Sequence, residues 1–315
     1  MNIEDLLRET LSDMAHEEQP PPPGRFLHVN GSRSRRRGLA LAAAAAVTVL
    51  AVGSTFAVQG LSSRTAAPGV PAVQGSGETR AETQIVVTVN EGLRLSMVLK
   101  KLSTATGKPL EEFERAAKDG GALGLPAYAK GRLEGFAYPA TYEVTPTSSP
   151  QEILAAMVAR FRSVAEDINL VEGAKRVGRT PLEIMIIASI VQAESGDKRD
   201  MPKIARVVYN RLSHMPEMRL KMDSTLMYGL NKYGIAASHK DLQSRSPYNT
   251  YVRRGLPPGP IDNPGADAIE AALNPAAGNW LWFVTTDPKT GVKFTDSESE
   301  FLKLVEEYNR NRRAG

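Results

Sequence analysis

Three hydrophobic patterns organise this 315-residue chain: one unbroken apolar run near its start, several helically spaced stripes, and a few short β-branched segments. The run is Leu39–Val58 (LALAAAAAVTVLAVGSTFAV), without a charged residue. As a helix it would match the ~30 Å hydrocarbon core of a bilayer. Ahead of it, Ile3, Leu6, Leu7 and Leu11 give Asn2–Met14 a short amphipathic stripe, which the prolines at Pro20–Pro23 end. Residues 1–38 otherwise read as a mostly disordered tail. Residues 59–83 are rich in Gly, Ser, Ala, Pro and Thr and read as a flexible linker. The folded part is expected from Gln84.

There, Gln84–Val89 (QIVVTV) has the β-branched content of a strand. Leu95, Val98, Leu99 and Leu102 predict a helix over Leu93–Ala105, and Pro109 opens a second over Leu110–Lys118. A strand-like segment, Gly135–Val144, closes a small α+β unit over residues 84–145. Residues 146–315 read as a mixed, largely helical domain. Helices are expected at Gln151–Ile168, Thr180–Ser195, Pro202–Leu212, Asp267–Leu273 and Ser297–Asn309. A hairpin is expected from Trp280–Thr285 and Gly291–Thr295. The fold class is therefore α+β, behind one N-terminal transmembrane helix.

Charge settles the orientation of the apolar run. Arg33, Arg35, Arg36 and Arg37 stand immediately before it. By the positive-inside rule the N-terminus stays cytoplasmic and the folded part lies outside the cell membrane. A cleaved signal peptide fits less well: its usual apolar core is shorter, and no A-x-A site follows. The same cluster is better explained by a membrane than by nucleic acid, given a net charge of only +4. The chain has no cysteine, which excludes disulfides, thiolate metal sites and cysteine nucleophiles. Its four histidines lack metal-ligand spacing, so neither metal nor cofactor is expected.

Candidate chemistry centres on Glu194, the one charged residue in Ile184–Ser195 (IMIIASIVQAES). Thr180, Pro181 and Glu183 make a capping box with proline at the first helical position. Gly196 stands ready to stop the helix. Ile187, Ile190, Val191 and Glu194 then share one face, with Glu194 at the C-terminal end. Apolar neighbours and the negative end of the helix dipole both favour its protonated form. A carboxylic acid kept protonated near neutral pH can serve as general acid on a glycosidic bond. The competing reading is a partly exposed glutamate at a helix end.

Two further segments bear on this. Pro247–Gly265 (PYNTYVRRGLPPGPIDNPG) carries five prolines and three glycines, with tyrosines and amides at its head. Such a long rigid loop suits the wall of a sugar-binding cleft. Ser195–Lys198 matches S-x-x-K and Lys289–Gly291 matches K-T-G, the signature of penicillin-binding serine enzymes. Context argues against that: Ser195 closes a helix where the nucleophile should open one, and the K-T-G follows Asp287-Pro288, which is turn chemistry.

Several ordered segments together resemble the YceG-like (MltG) family of membrane-anchored endolytic murein transglycosylases. They are LEGFAYPATYEV (Leu133–Val144), IIASIVQAESGD (Ile186–Asp197), ARVVYNRL (Ala205–Leu212), MDSTLMYG (Met222–Gly229), SPYNTYVRRGLPPGPIDNPG (Ser246–Gly265) and AALNP (Ala271–Pro275). The resemblance implies a LysM-like subdomain over residues 84–145 and a YceG-like catalytic domain over 146–315. It implies Glu194 as the catalytic acid and base. Asp223, Ser224, Thr225, Tyr248, Asn249, Thr250 and Tyr251 would line the cleft, joined by Glu134. The substrate would be the glycan strands of peptidoglycan, cleaved between MurNAc and GlcNAc to leave 1,6-anhydro ends. Cell-wall synthesis proteins would be natural partners. The chain departs from the family pattern at Ala140, Lys221, Lys293 and Phe301. Two other readings stay open: a hydrolase in which Asp223 or Asp262 activates water, and a glycan-binding scaffold without activity.

Overall fold

The computed structural model describes residues 84–233, 237–287 and 291–314. The tail, apolar run and linker expected over residues 1–38, 39–58 and 59–83 lie outside the described residues. Among the described residues, no helix is long and apolar enough to cross a membrane.

The first elements follow the expected strand, helix, helix, strand order. Strand β1 (Ile85–Thr88) pairs antiparallel with β2 (Thr141–Val144), in the register Ile85 with Val144 and Thr88 with Thr141. Between them run α1 (Leu95–Thr106) and α2 (Leu110–Ala116). Val87, Val98, Leu99, Leu102 and Phe113 bury one core here. The strand expected over Gly135–Val144 is shorter than predicted, because its first half is captured elsewhere. The Asn263 side-chain oxygen accepts from the backbone N–H of both Gly135 and Ala137, at 3.0 Å each. Gly135 has φ +89°, and a Cβ there would lie 2.5 Å from Pro260. Only glycine fits that close approach.

Helix α3 (Pro150–Asp167) connects two cores. Ile153, Leu154, Met157 and Val158 pack into the first, whereas Phe161 and Ala165 pack into the second. The second core is built around α5 (Pro181–Glu194), preceded by α4 (Leu170–Arg176), a short helix the sequence pattern did not reveal. The capping box on α5 is present in full: the Thr180 hydroxyl accepts from Glu183 N–H, and the Glu183 carboxylate accepts from Thr180 N–H at 2.8 Å. Ile184 to Val191 are all buried, so the helix is enclosed on every side. Helices α6 (Met201–Ser213), α7 (Asp223–Gly229) and α9 (Ala266–Leu273) surround it, and α8 (His239–Leu242) lies between the last two in sequence. Gly196 takes no left-handed turn; the extended backbone of Ser195 ends α5 instead.

Strands β3 (Trp282–Asp287) and β4 (Gly291–Thr295) form the expected hairpin, with Phe283 opposite Phe294. Helix α10 (Glu298–Ala314) packs on it, with Trp282 stacked on Phe301 at 6.1 Å. The irregular stretch 247–265 is pinned to α5. Ile261 N–H donates to the Ser189 hydroxyl and Gly265 N–H donates to the Gln192 side chain, both at 3.0 Å.

Candidate active site

Glu194 is the last residue of α5, where a buried helix meets the first turn of α7. The Ser224 hydroxyl donates to Glu194 Oε1 at 2.6 Å. Asp223, beside Ser224, accepts from the Tyr251 hydroxyl at 2.6 Å. Arg211, on α6, completes the group with a nearly buried guanidinium. Four elements thus converge on one carboxyl group.

Electrostatics follow from this enclosure. Glu194 keeps an opening to solvent, yet burial of its carboxyl group leads a rise of its pKa. The charge of Asp223 adds to the rise, while the Ser224 hydroxyl and Arg211 oppose it. Asp223 is itself raised by burial, against the Tyr251 hydrogen bond. Tyr251 is held well above its ordinary value, first by burial and then by Asp223. Two neighbouring acids in a poorly solvated place resist ionising together. Each carboxyl is therefore pushed toward its protonated form.

The expected cleft residues divide into three groups. Asp223, Ser224 and Tyr251 gather at Glu194. Glu134 and Tyr248 gather instead around Tyr228, near the other end of α7. There Glu134 accepts from Leu95 N–H at 2.8 Å, from Asn263 at 3.1 Å and from the Tyr228 hydroxyl at 3.1 Å. Burial pushes Glu134 up to about 7, against those donors and Arg94. The Tyr228 and Tyr248 rings meet at 4.8 Å, and Arg94 lies over Tyr228. A Cβ on Gly229 would lie 2.7 Å from Tyr248, so the contact depends on glycine. Tyr228 stands five positions after Asp223, roughly 8 Å along the helix axis.

The third group lies deeper. Thr225, Asn249 and Thr250 are enclosed, and their polar atoms are spent on the protein itself. Thr225 and Thr250 hydroxyls meet at 2.9 Å, and Met222 N–H donates to Thr250. Asn249 donates to the Leu242 and Ser244 carbonyls and accepts from Tyr251 N–H. These residues fix the start of α7 and aim Tyr251.

The departures at Lys293 and Phe301 are absorbed by the hairpin and α10: Lys293 pairs with Glu307 at 2.7 Å, and Phe301 packs on Trp282. Lys221 sits in the left-handed region with its N–H donating to the Thr250 carbonyl. The Ala140 carbonyl accepts from Val89 N–H. Among the described residues, no cluster of His, Asp or Glu is arranged to hold a metal ion.

Sequence reasoning passed over Arg211, Arg94 and Tyr228 as site residues. Arg211 had a signal: it follows Ile204 by seven and Val208 by three, which puts it on the apolar face of α6.

Comparison with known proteins now bears on this geometry. Residues 69–311 match the YceG-like family. The chain belongs to that family. A protein of Bacillus subtilis named endolytic murein transglycosylase is 35% identical over 179 residues, covering 56% of this chain and 46% of its own. One of Streptococcus pneumoniae, with the same name, is 32% identical over 188 residues, covering 57% of this chain and 33% of its own. The chain thus spans less than half the length of these curated relatives. A crystal structure of a YceG-like protein from Listeria monocytogenes superposes with a TM-score of 0.62 at 29% identity, covering 70% of this chain and 76% of that one. The mixed α+β architecture is that of a YceG-like fold.

Proposed function

We propose that this chain is a membrane-anchored endolytic transglycosylase of peptidoglycan, with Glu194 as general acid and then general base. The observation that carries the reading is the Glu194 carboxyl at the end of α5, hydrogen-bonded to Ser224 and with its pKa raised by burial beside Asp223. The names of the bacillary and pneumococcal relatives support the substrate class.

Glu194 donates its proton to the oxygen linking MurNAc C1 to GlcNAc, and the C1–O bond breaks. Positive charge develops at C1. The Glu194 carboxylate then takes the proton of the MurNAc C6 hydroxyl as that oxygen bonds to C1. A 1,6-anhydro ring results, Glu194 is protonated again, and no water is consumed. Because the nucleophile belongs to the substrate, its effective concentration far exceeds that of a free reactant.

In this reading residues 39–58 anchor the chain, residues 59–83 tether the folded part outside the cell membrane, and residues 84–145 act as a LysM-like subdomain. The β1–α1–α2–β2 order supports the last assignment. Domain 146–315 carries the chemistry, and cell-wall synthesis proteins are the natural partners.

The hydrolase reading through Asp262 finds little support. That residue is enclosed, one carboxyl oxygen lacks a partner among the described residues, and burial holds its pKa well above the ordinary value. Mass spectrometry of a peptidoglycan digest tests the proposal: anhydro-MurNAc ends are expected, and reducing ends would establish a hydrolase instead.

A further inference from the structure

The proposed reaction leaves one buried charge without a role. Arg211 is 7% exposed. Its Nε donates to the Leu281 carbonyl at 2.6 Å, and Nη1 donates to the Leu220 carbonyl. Leu220 lies three residues before α7, and Leu281 immediately precedes β3, so two different segments clamp the guanidinium. Among the described residues, Arg211 makes no direct ion pair. Neutral carbonyls do not offset the cost of burying a full charge. The groups facing the site are Glu194 on α5, Asp223 and Ser224 on α7, and Tyr251 in the loop.

We propose that Arg211 is a positioning residue for Glu194: a fixed counter-charge that lets the Glu194 carboxylate carry negative charge while the proton is away on the substrate. The inference rests on the Glu194 reading and deepens it. When Glu194 gives up its proton, its carboxylate stands beside Asp223 with the clamped Arg211 guanidinium as its positive neighbour, until the C6 hydroxyl returns a proton. Without Arg211 the Glu194 carboxylate would stand uncompensated in a poorly solvated site, and Glu194 would hold its proton more tightly. The clamp matters because a charge that cannot reorient stabilises the developing anion without reorganisation.

The test uses the full-length chain in detergent, as wild type, Arg211→Met and Arg211→Lys. One readout is the pH profile of glycan cleavage. The other is the titration of the Glu194 carboxyl by carbon-13 NMR, assigned by its absence in Glu194→Gln. Arg211→Met is expected to cut cleavage about tenfold or more, and to move both the alkaline limb and the Glu194 titration upward by about one pH unit. Arg211→Lys retains charge but loses the fork, so it should lose rate while keeping the titration in place. A folded Arg211→Met protein whose Glu194 titrates as in wild type would overturn the inference. If that variant does not fold, Arg211→Lys decides: a displaced Glu194 titration overturns it, and an unmoved one with reduced rate supports it. Should the wild type release no anhydro product, the transglycosylase reading fails, yet the titration still decides the role of Arg211.

Discussion

Glu134→Gln is expected to stabilise the protein at about pH 8 by up to about 3.5 kcal/mol, and to lack that effect near pH 4. Glu134 bridges the start of α1, Asn263 and Tyr228, and burial raises its pKa from 4.5 to about 7. The unfolded chain has no such enclosure and ionises this side chain near its ordinary value. Between those two values the folded state therefore binds more protons than the unfolded state. Stability contributed by this site consequently falls as pH rises through that window, and the loss is complete above the folded pKa. Each pH unit of difference is worth about 1.4 kcal/mol, which gives the upper bound of about 3.5 kcal/mol. Glutamine keeps the shape and can accept from Leu95 N–H, but it never has to ionise. The assay is urea unfolding of both full-length proteins in detergent across this pH range. Fluorescence of Trp280 and Trp282, the only two tryptophans, reports the transition. The gap between the two stability curves should open as pH rises. A gap that stays constant from acid to alkaline pH would refute the reasoning.

Three other consequences follow from single contacts. Ser224→Ala removes the 2.6 Å hydrogen bond to Glu194, so glycan cleavage should fall about tenfold and its alkaline limb should move to higher pH. Thr180→Ala breaks the capping box of α5 and should cost about 1 kcal/mol in urea unfolding, with the cleavage pH profile unchanged. Phe161→Ala empties a buried site beside Phe136, whose ring centroid is 5.0 Å away, and should cost about 3–5 kcal/mol by the same measurement.

Local rules made much of the fold legible. Thr180, Pro181 and Glu183 announce α5 because a capping box is written within four residues. The stripe through Leu95, Val98, Leu99 and Leu102 announces α1 because its helical spacing is equally local. Long-range capture was not legible. The segment Gly135–Ala140 reads as strand, but Asn263, more than 120 residues later, takes its N–H groups away from any ladder. The short helix α4 begins after a left-handed Asn169 and carries no cap bond to mark it. At the site, Glu194 stood out because a carboxyl interrupts an apolar run. Thr225, Asn249 and Thr250 look in sequence like ligand-binding polar residues. Only packing shows that their hydrogen bonds close on the protein. Arg211 was hidden for the opposite reason: a charged residue on an apolar stripe is easily assigned to the helix edge, and only the Leu220 and Leu281 carbonyls reveal that it turns inward.

The central claim is that Glu194 performs proton transfer on a peptidoglycan glycan bond. Its most direct test is digestion of purified peptidoglycan by the full-length wild type and by Glu194→Gln, side by side, with mass spectrometry of the soluble products. The account predicts 1,6-anhydro-MurNAc ends from the wild type and a loss of about a hundredfold or more in the variant, with both proteins folded. Equal release of anhydro ends by Glu194→Gln would contradict it.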